Sequence, residues 1–189
     1  TITDKLITFT VLTGISLPSF FLGMMMILLF AVNLQWLPVS GMYAIYGGGD
    51  FLDLIHHLIM PAIALALVAT GVVARITRNS VLEILRQDYI RTARAKGVRE
   101  GNVLFKHVLR IAIVTILPIL GLQAGFVLSG SVFIEIVFQW PGVGRMLVDA
   151  ILKRDILLVQ GGVMFVAACY VLFNIAVDLL QRYLDPRIK

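Results

Sequence analysis

"IAIVTILPILGLQAGFVLSGSVFI", residues 111–134, carries no charged side chain in 24 consecutive positions. A helix needs about 20 mostly apolar residues to cross the hydrocarbon core of a bilayer. Apolar residues here occupy every side of a helix rather than one stripe, which a soluble fold rarely requires. Three further runs share the property: residues 6–34, 58–74 and 156–177 are uncharged, with Pro61 near the start of the second. The four runs predict an all-α, polytopic membrane protein with four transmembrane helices.

Composition agrees. Of 189 residues, 59% are hydrophobic and 14% charged, against roughly 25% charged in an ordinary soluble domain. Mean hydropathy is +0.95. A net charge of +5 would suggest nucleic acid as a partner of a soluble protein; in a membrane protein basic residues report orientation instead. The single cysteine, Cys169, lies in an apolar run and forms no disulfide within the chain. The sequence opens on Thr1 with no basic segment ahead of an apolar stretch. The expectation is therefore a stretch of a longer polypeptide with no signal peptide.

The four runs sort the basic residues into two groups. Lys5, the segment 75–110, and Arg182, Arg187 and Lys189 fall on one side; Arg145, Lys153 and Arg154 fall on the other. The positive-inside rule makes the larger group cytoplasmic, and with it both ends of the chain. On the outer side, residues 35–54 bring Trp36, Tyr43, Tyr46 and a glycine triplet, which suit an interfacial turn. Residues 138–155 open on a Pro-Gly turn and then place Met146, Leu147, Ala150 and Ile151 on one helical face.

The segment 75–110 is far longer than a turn between neighbouring helices needs. Val81, Leu82, Leu85, Tyr89 and Ala93 recur at three- and four-residue steps, as do Leu104, Phe105, Val108 and Leu109. Two amphipathic helices broken at Gly97 account for the pattern. Ala93, Gly97 and Val103 also stand at spacings a helix-turn-helix DNA reader would show. Such a reader needs a third helix and a core of its own, whereas both helices here run into spans. A docking element for a cytoplasmic partner, apolar ridge within a charged rim, fits better, and a helix lying on the lipid surface is a variant that composition does not separate from it.

"DYIRTARAKGVREGNVLFKHVLR", residues 88–110, resembles the cytoplasmic loop of the permease subunits of binding-protein-dependent ABC importers. The general motif there is Glu-Ala-Ala, three residues, Gly, nine residues, Ile-x-Leu-Pro. Gly97 and Ala93 match it, Arg91 and Thr92 replace Glu-Ala, and His107, Leu109 and Arg110 take the Ile, Leu and Pro places. The peptide and nickel branch, with Arg-Thr-Ala-Arg-Ala-Lys-Gly and His-x-Leu-Arg, is the closer match. "GISLPSFFLG" (14–23), "LQWLPVSG" (34–41), "HLIMPAIALAL" (57–67), "FQWPGVGRMLVDAILKRD" (138–155) and "VDLLQRYLDPRIK" (177–189) resemble the same branch.

The resemblance implies one domain over residues 1–189, of the type I ABC importer fold, with a coupling loop at 76–110. It implies that Asp88, Tyr89, Arg91, Thr92, Ala93, Arg94, Ala95, Lys96 and Gly97 couple the chain to a separate ATPase subunit. Arg91, Arg94 and Lys96 would meet carboxylates there, and Asp88 a basic group there or within the loop. It implies two ATP-binding subunits, a second related permease subunit, an extracytoplasmic substrate-binding protein, and residence in the cytoplasmic membrane of a bacterium or archaeon. The family's subunits are longer, so the chain would hold four of about six spans.

No G-x-x-x-x-G-K-[ST] stretch occurs in the sequence, so ATP and Mg²⁺ are expected on the partners and no cofactor on this chain. Polar residues within spans are costly in lipid and are functional candidates for that reason: Ser16, Ser19, Asn33, Gln123, Ser129, Ser131, Glu135 and Asn174. Of these Gln123, Ser129 and Glu135 are the candidates for a translocation path or gate. Gly121, Gly125 and Gly130 would permit close helix packing, and Pro18, Pro61 and Pro118 would kink their helices. His56 and His57 stand without other ligands at metal spacing except Asp53. A membrane-embedded enzyme would need acid, base or metal groups at one depth, but Glu135, Asp178 and His107 scatter. A non-transporting receptor shares the basic segment. Peptides, glutathione and nickel chelates all stay open as solutes.

Overall fold

The computed structural model describes residues 17–46 and 49–184. No strand occurs among them. Helix α1, Ser19–Met26, runs into a π-helical stretch, Ile27–Asn33. Then come α2, Phe51–Leu85; α3, Asp88–Ala95; a short α4, Glu100–Asn102; a second π-helical stretch, Val103–Val108; α5, Leu109–Val137; α6, Val143–Leu152; and α7, Ile156–Leu184.

Among the described residues three helical stretches are long and apolar enough to cross a membrane: Phe51–Leu85, Glu100–Val137 and Ile156–Leu184. They contain the uncharged runs 58–74, 111–134 and 156–177. The run 6–34 is helical over Ser19–Asn33, shorter than a full span; its first part lies outside the described residues. Pro61 and Pro118 sit inside α2 and α5. Pro18 does not kink a helix. It stands before α1 with extended backbone (φ −60°, ψ 143°), and its carbonyl accepts the N–H groups of Phe21 and Leu22 at 3.1 Å.

The chain divides into two compact units, residues 1–71 with 125–170, and residues 72–124 with 171–189. The core of the first consists of Ala31, Met60, Ala64, Ile134 and Phe138, with Phe30, Leu37 and Leu65 packed on it. Its loop before α2 is held by side chains of that helix. The Asp53 carboxylate accepts the N–H groups of Ala44 at 2.9 Å and Gly49 at 3.3 Å. His57, buried, places Nδ1 3.1 Å from the same carboxylate, and Nε2 of His56 lies 3.0 Å from the Trp36 carbonyl oxygen. The adjacent histidines thus serve two separate anchors.

The core of the second unit is Ile84, Ile90, Val103, Val108 and Ala112, with Val81, Leu85, Val98 and Ile116 against it. Two of the apolar ridges expected from periodicity are corrected here. Leu82 and Tyr89 face outward, as do Leu104, Phe105 and Leu109, while Ile84, Ile90 and Val103 turn inward. Past residue 85 the reason is a broken helical phase. α2 stops at Leu85 and α3 restarts after an extended Gln87, and the π-helical stretch shifts the register after residue 102.

Candidate functional site

The segment 88–97 is a short helix anchored from below and exposed above. Asp88 opens α3, where a negative charge suits the helix N-terminus, and Gln87 accepts the N–H groups of Ile90 and Arg91 at 3.1 and 3.4 Å. Ile90 is fully buried and pins α3 to Val103 and Val108. Around that pin Asp88, Tyr89, Arg91, Thr92, Arg94, Ala95, Lys96 and Gly97 are exposed, and Ala93 is half-buried. Partial desolvation of the otherwise exposed Tyr89 phenol raises its pKa above the ordinary 10.

Gly97 ends the helix. Its φ of +78° is the left-handed conformation that costs a β-carbon residue roughly 1–2 kcal/mol, and nothing lies within 4 Å of where a Cβ would stand. The last carbonyls are satisfied by the turn: Lys96 N–H donates to Thr92, Gly97 N–H to Arg94 and Val98 N–H to Ala93, at 3.0, 2.9 and 3.2 Å. A left-handed glycine closing a helix this way is a common terminator.

The charges of the segment pair within the chain. Arg94 donates from Nε to one oxygen of Glu100 at 2.7 Å and from Nη2 to the other at 3.2 Å. Arg91 lies 3.7 Å from Asp88, both highly exposed. Lys96 has no ion pair among the described residues. Glu100 escaped the sequence reading because it stands six positions from Arg94, beyond the three- or four-residue spacing that marks helical pairs.

The candidates within the spans separate. Ser129 and Glu135 line one cavity of about 550 Å³ in the first unit, with Gly144, Leu147, Cys169 and Tyr170 among its walls. Gln123 is not among them; it lies half-buried on α5 in the second unit. Glu135 does not pair with the Arg145 guanidinium. Its Oε2 accepts the backbone N–H of Arg145 at 2.8 Å. Ser131 donates to the Leu128 carbonyl at 2.9 Å.

The glycines of α5 are contact points. A Cβ at Gly121 would stand 2.7 Å from Oδ1 of Asn174, and one at Gly125 2.9 Å from Cε2 of Tyr170. No group of three or more metal-ligating side chains is found among the described residues.

The family described as "Binding-protein-dependent transport system inner membrane component" matches residues 1–189, the whole chain. The chain belongs to this family. As an inner membrane component with three helices of spanning length, it is a membrane protein. It is 44% identical over 196 residues to the di/tripeptide transport system permease protein DppB of Pseudomonas aeruginosa, covering 94% of this chain and 58% of that one. The oligopeptide transport system permease protein AppB of Bacillus subtilis is 41% identical over 186 residues, covering 98% and 59%. The glutathione transport system permease protein GsiC of Salmonella typhimurium is 41% identical over 186 residues, covering 98% and 58%. The chain spans about six tenths of the length of these relatives.

Proposed function

We propose that this chain is the membrane-spanning part of a permease subunit of an ATP-driven importer that takes up short peptides or a related small solute, glutathione included. The observation that carries the reading is the pairing of a whole-chain family match with the 88–97 segment, an exposed helix pinned by Ile90 and closed at Gly97. A lever must be stiff where it is pushed and firmly rooted. Alanines at 93 and 95 favour helix without bulk, and the core around Ile90 roots the segment on the helix leading into α5.

In this reading residues 88–97 seat against an ATP-binding subunit, and residues 76–110 form the cytoplasmic coupling loop of a single domain. Two such subunits bind ATP and Mg²⁺, and their closure shifts the spans between inward- and outward-facing states. A second related permease completes the passage, and an extracytoplasmic binding protein delivers solute. Both ends of the chain lie on the cytoplasmic side, as the clustering of basic residues favours. Gln123, Ser129 and Glu135 are the polar candidates for the path or its gate. The chain performs no chemistry of its own.

The test is reconstitution of the full-length permease with its partner subunits in proteoliposomes, with ATP supplied on the cytoplasmic face. ATP-dependent uptake of a labelled dipeptide is expected, abolished by a bulky residue at Gly97. A complex that binds the solute-loaded binding protein yet shows no uptake would leave a receptor instead.

A further inference from the structure

We propose that Glu135 is a positioning residue for the outer closure of the passage: its carboxylate holds α6 over the groove between the facing parts of α5 and α7, and loss of that hold opens the groove. The proposal rests on the permease reading for its consequence in transport, but its geometry stands independently.

Helix α6 has no capping side chain of its own. Its N-cap is Gly142, and no side chain of the cap position satisfies the first N–H groups. The acceptor comes instead from the last turns of α5, where Glu135 Oε2 receives the N–H of Arg145, the third helical residue, at 2.8 Å. A carboxylate at a helix N-terminus is favoured by both the unpaired N–H groups and the helix dipole. The backbone is cleared to admit it. A Cβ at Gly142 would overlap the carboxylate, and one at Gly144 would stand 2.9 Å from Oε2 and 2.7 Å from Cγ2 of Val132. The same α5 end is tied back by the Trp140 N–H, which donates to the Glu135 carbonyl at 2.8 Å.

On its other side α6 leans on α7. A Cβ at Gly162 would stand 2.5 Å from Cδ2 of Leu147 and 3.3 Å from Cε of Met146. Helix α6 therefore bridges α5 and α7, and Gly144 and Leu147 form its share of the 550 Å³ cavity whose walls include Ser129, Glu135 and Cys169. Apolar packing holds the bridge on both sides, Leu147 and Met146 against Gly162 and Val132 against Gly144, and tolerates sliding; the Glu135 hydrogen bond adds a directed, charge-assisted hold, the more geometrically exacting kind. That makes Glu135 the point on which the position of α6 depends.

Cys169, the only cysteine in the sequence given, lies in the wall of this cavity and reports its opening without reference to transport. The full-length permease and its partner subunits are reconstituted, and the modification rate of Cys169 by N-ethylmaleimide is followed by peptide mass. Glu135→Ala and Gly144→Ala are each expected to raise the rate about tenfold or more, the factor that losing one hydrogen bond to a charged acceptor implies for an opening equilibrium. Glu135→Gln keeps an oxygen that accepts from Arg145 but loses the charge, and should fall between the parent and Glu135→Ala. Gly144→Ala presses on the Val132 backbone as well as on Oε2, so its rise is read beside that of Glu135→Ala, and where Glu135→Ala fails to assemble Glu135→Leu takes its place. Unchanged labelling in both variants, with the parent importing dipeptide, overturns the hold and leaves the permease reading standing. Raised labelling in both, with a parent that imports nothing, supports the hold and overturns the permease reading.

Discussion

Arg94 and Glu100 form a two-point ion pair across the turn at Gly97, with nitrogen–oxygen distances of 2.7 and 3.2 Å. The family resemblance implies a carboxylate on a partner subunit for Arg94; within this chain the guanidinium already has one. The two roles make opposite predictions. If the pair sets the shape of the turn, exchanging the charges in Arg94→Glu/Glu100→Arg should recover most of the uptake that each single variant loses. If Arg94 serves the partner, the exchange should be no better than Arg94→Glu alone. Recovery is the expected outcome, measured as a double-mutant cycle on ATP-driven uptake. Stability should move little, by about 0.2–1 kcal/mol, because both groups are exposed.

Gly97 permits a clean separation of fold from coupling. Its φ of +78° penalises any β-carbon, while the space beside it is open. Gly97→Ala and Gly97→Trp should therefore destabilise the detergent-solubilised permease by similar amounts, about 1–2 kcal/mol. Their effects on transport should differ. Gly97→Ala is expected to retain a measurable fraction of uptake, and Gly97→Trp to lose it, because only the tryptophan fills space where a partner subunit would sit. Equal residual uptake in both would show that backbone strain, not contact, governs the loss.

Asp53 organises the loop before α2 through two backbone N–H groups and the buried His57. Asp53→Ala removes three acceptor contacts at one stroke and should release residues 36–50 to protease. The expected result is faster cleavage in that loop with the helices left intact and little loss of global stability, because His57 Nδ1 keeps the Asp53 backbone carbonyl oxygen at 2.9 Å. His57→Ala should leave the loop tighter than Asp53→Ala does, since Ala44 and Gly49 keep their acceptor. Limited proteolysis followed by mass mapping distinguishes them.

The uncharged runs were legible because lipid imposes one demand on every side of a helix, and residues 58–74, 111–134 and 156–177 meet it without exception. The break at Gly97 was legible for a similar reason: a glycine between two helical patterns has few other uses. Phase was not. Periodicity carried from Val81 to Ala93 ignores the interruption at 86–87, so it chose Tyr89 where Ile90 is buried. The π-helical stretch at Val103–Val108 defeats a 3.6-residue count in the same manner. Polar partners were least legible. Glu135 finds a backbone N–H ten residues away, and no side-chain pattern encodes a backbone donor.

Gly121 and Gly125 stand four residues apart on α5, and Asn174 and Tyr170 stand four apart on α7, each glycine meeting one large side chain. In a membrane, where lipid tails are as apolar as the helices, close approach at small residues and interhelical polar contacts are main sources of association. Adding a methyl group at either glycine should cost about 1–3 kcal/mol through overpacking. Each clash should respond to a second change. At Gly125 the intruding atoms belong to the edge of a ring, so Tyr170→Leu should relieve the clash in Gly125→Ala while giving up the interaction that Tyr170 itself makes. At Gly121 the obstacle is the side-chain oxygen of Asn174, a residue that makes an interaction of its own in the structure. Asn174→Ala should therefore relieve the clash in Gly121→Ala but carry a cost of its own, leaving the double variant below the parent. Thermal unfolding of the four single and two double variants checks this. Full recovery at Gly121 would mean that Asn174 fills space and nothing more.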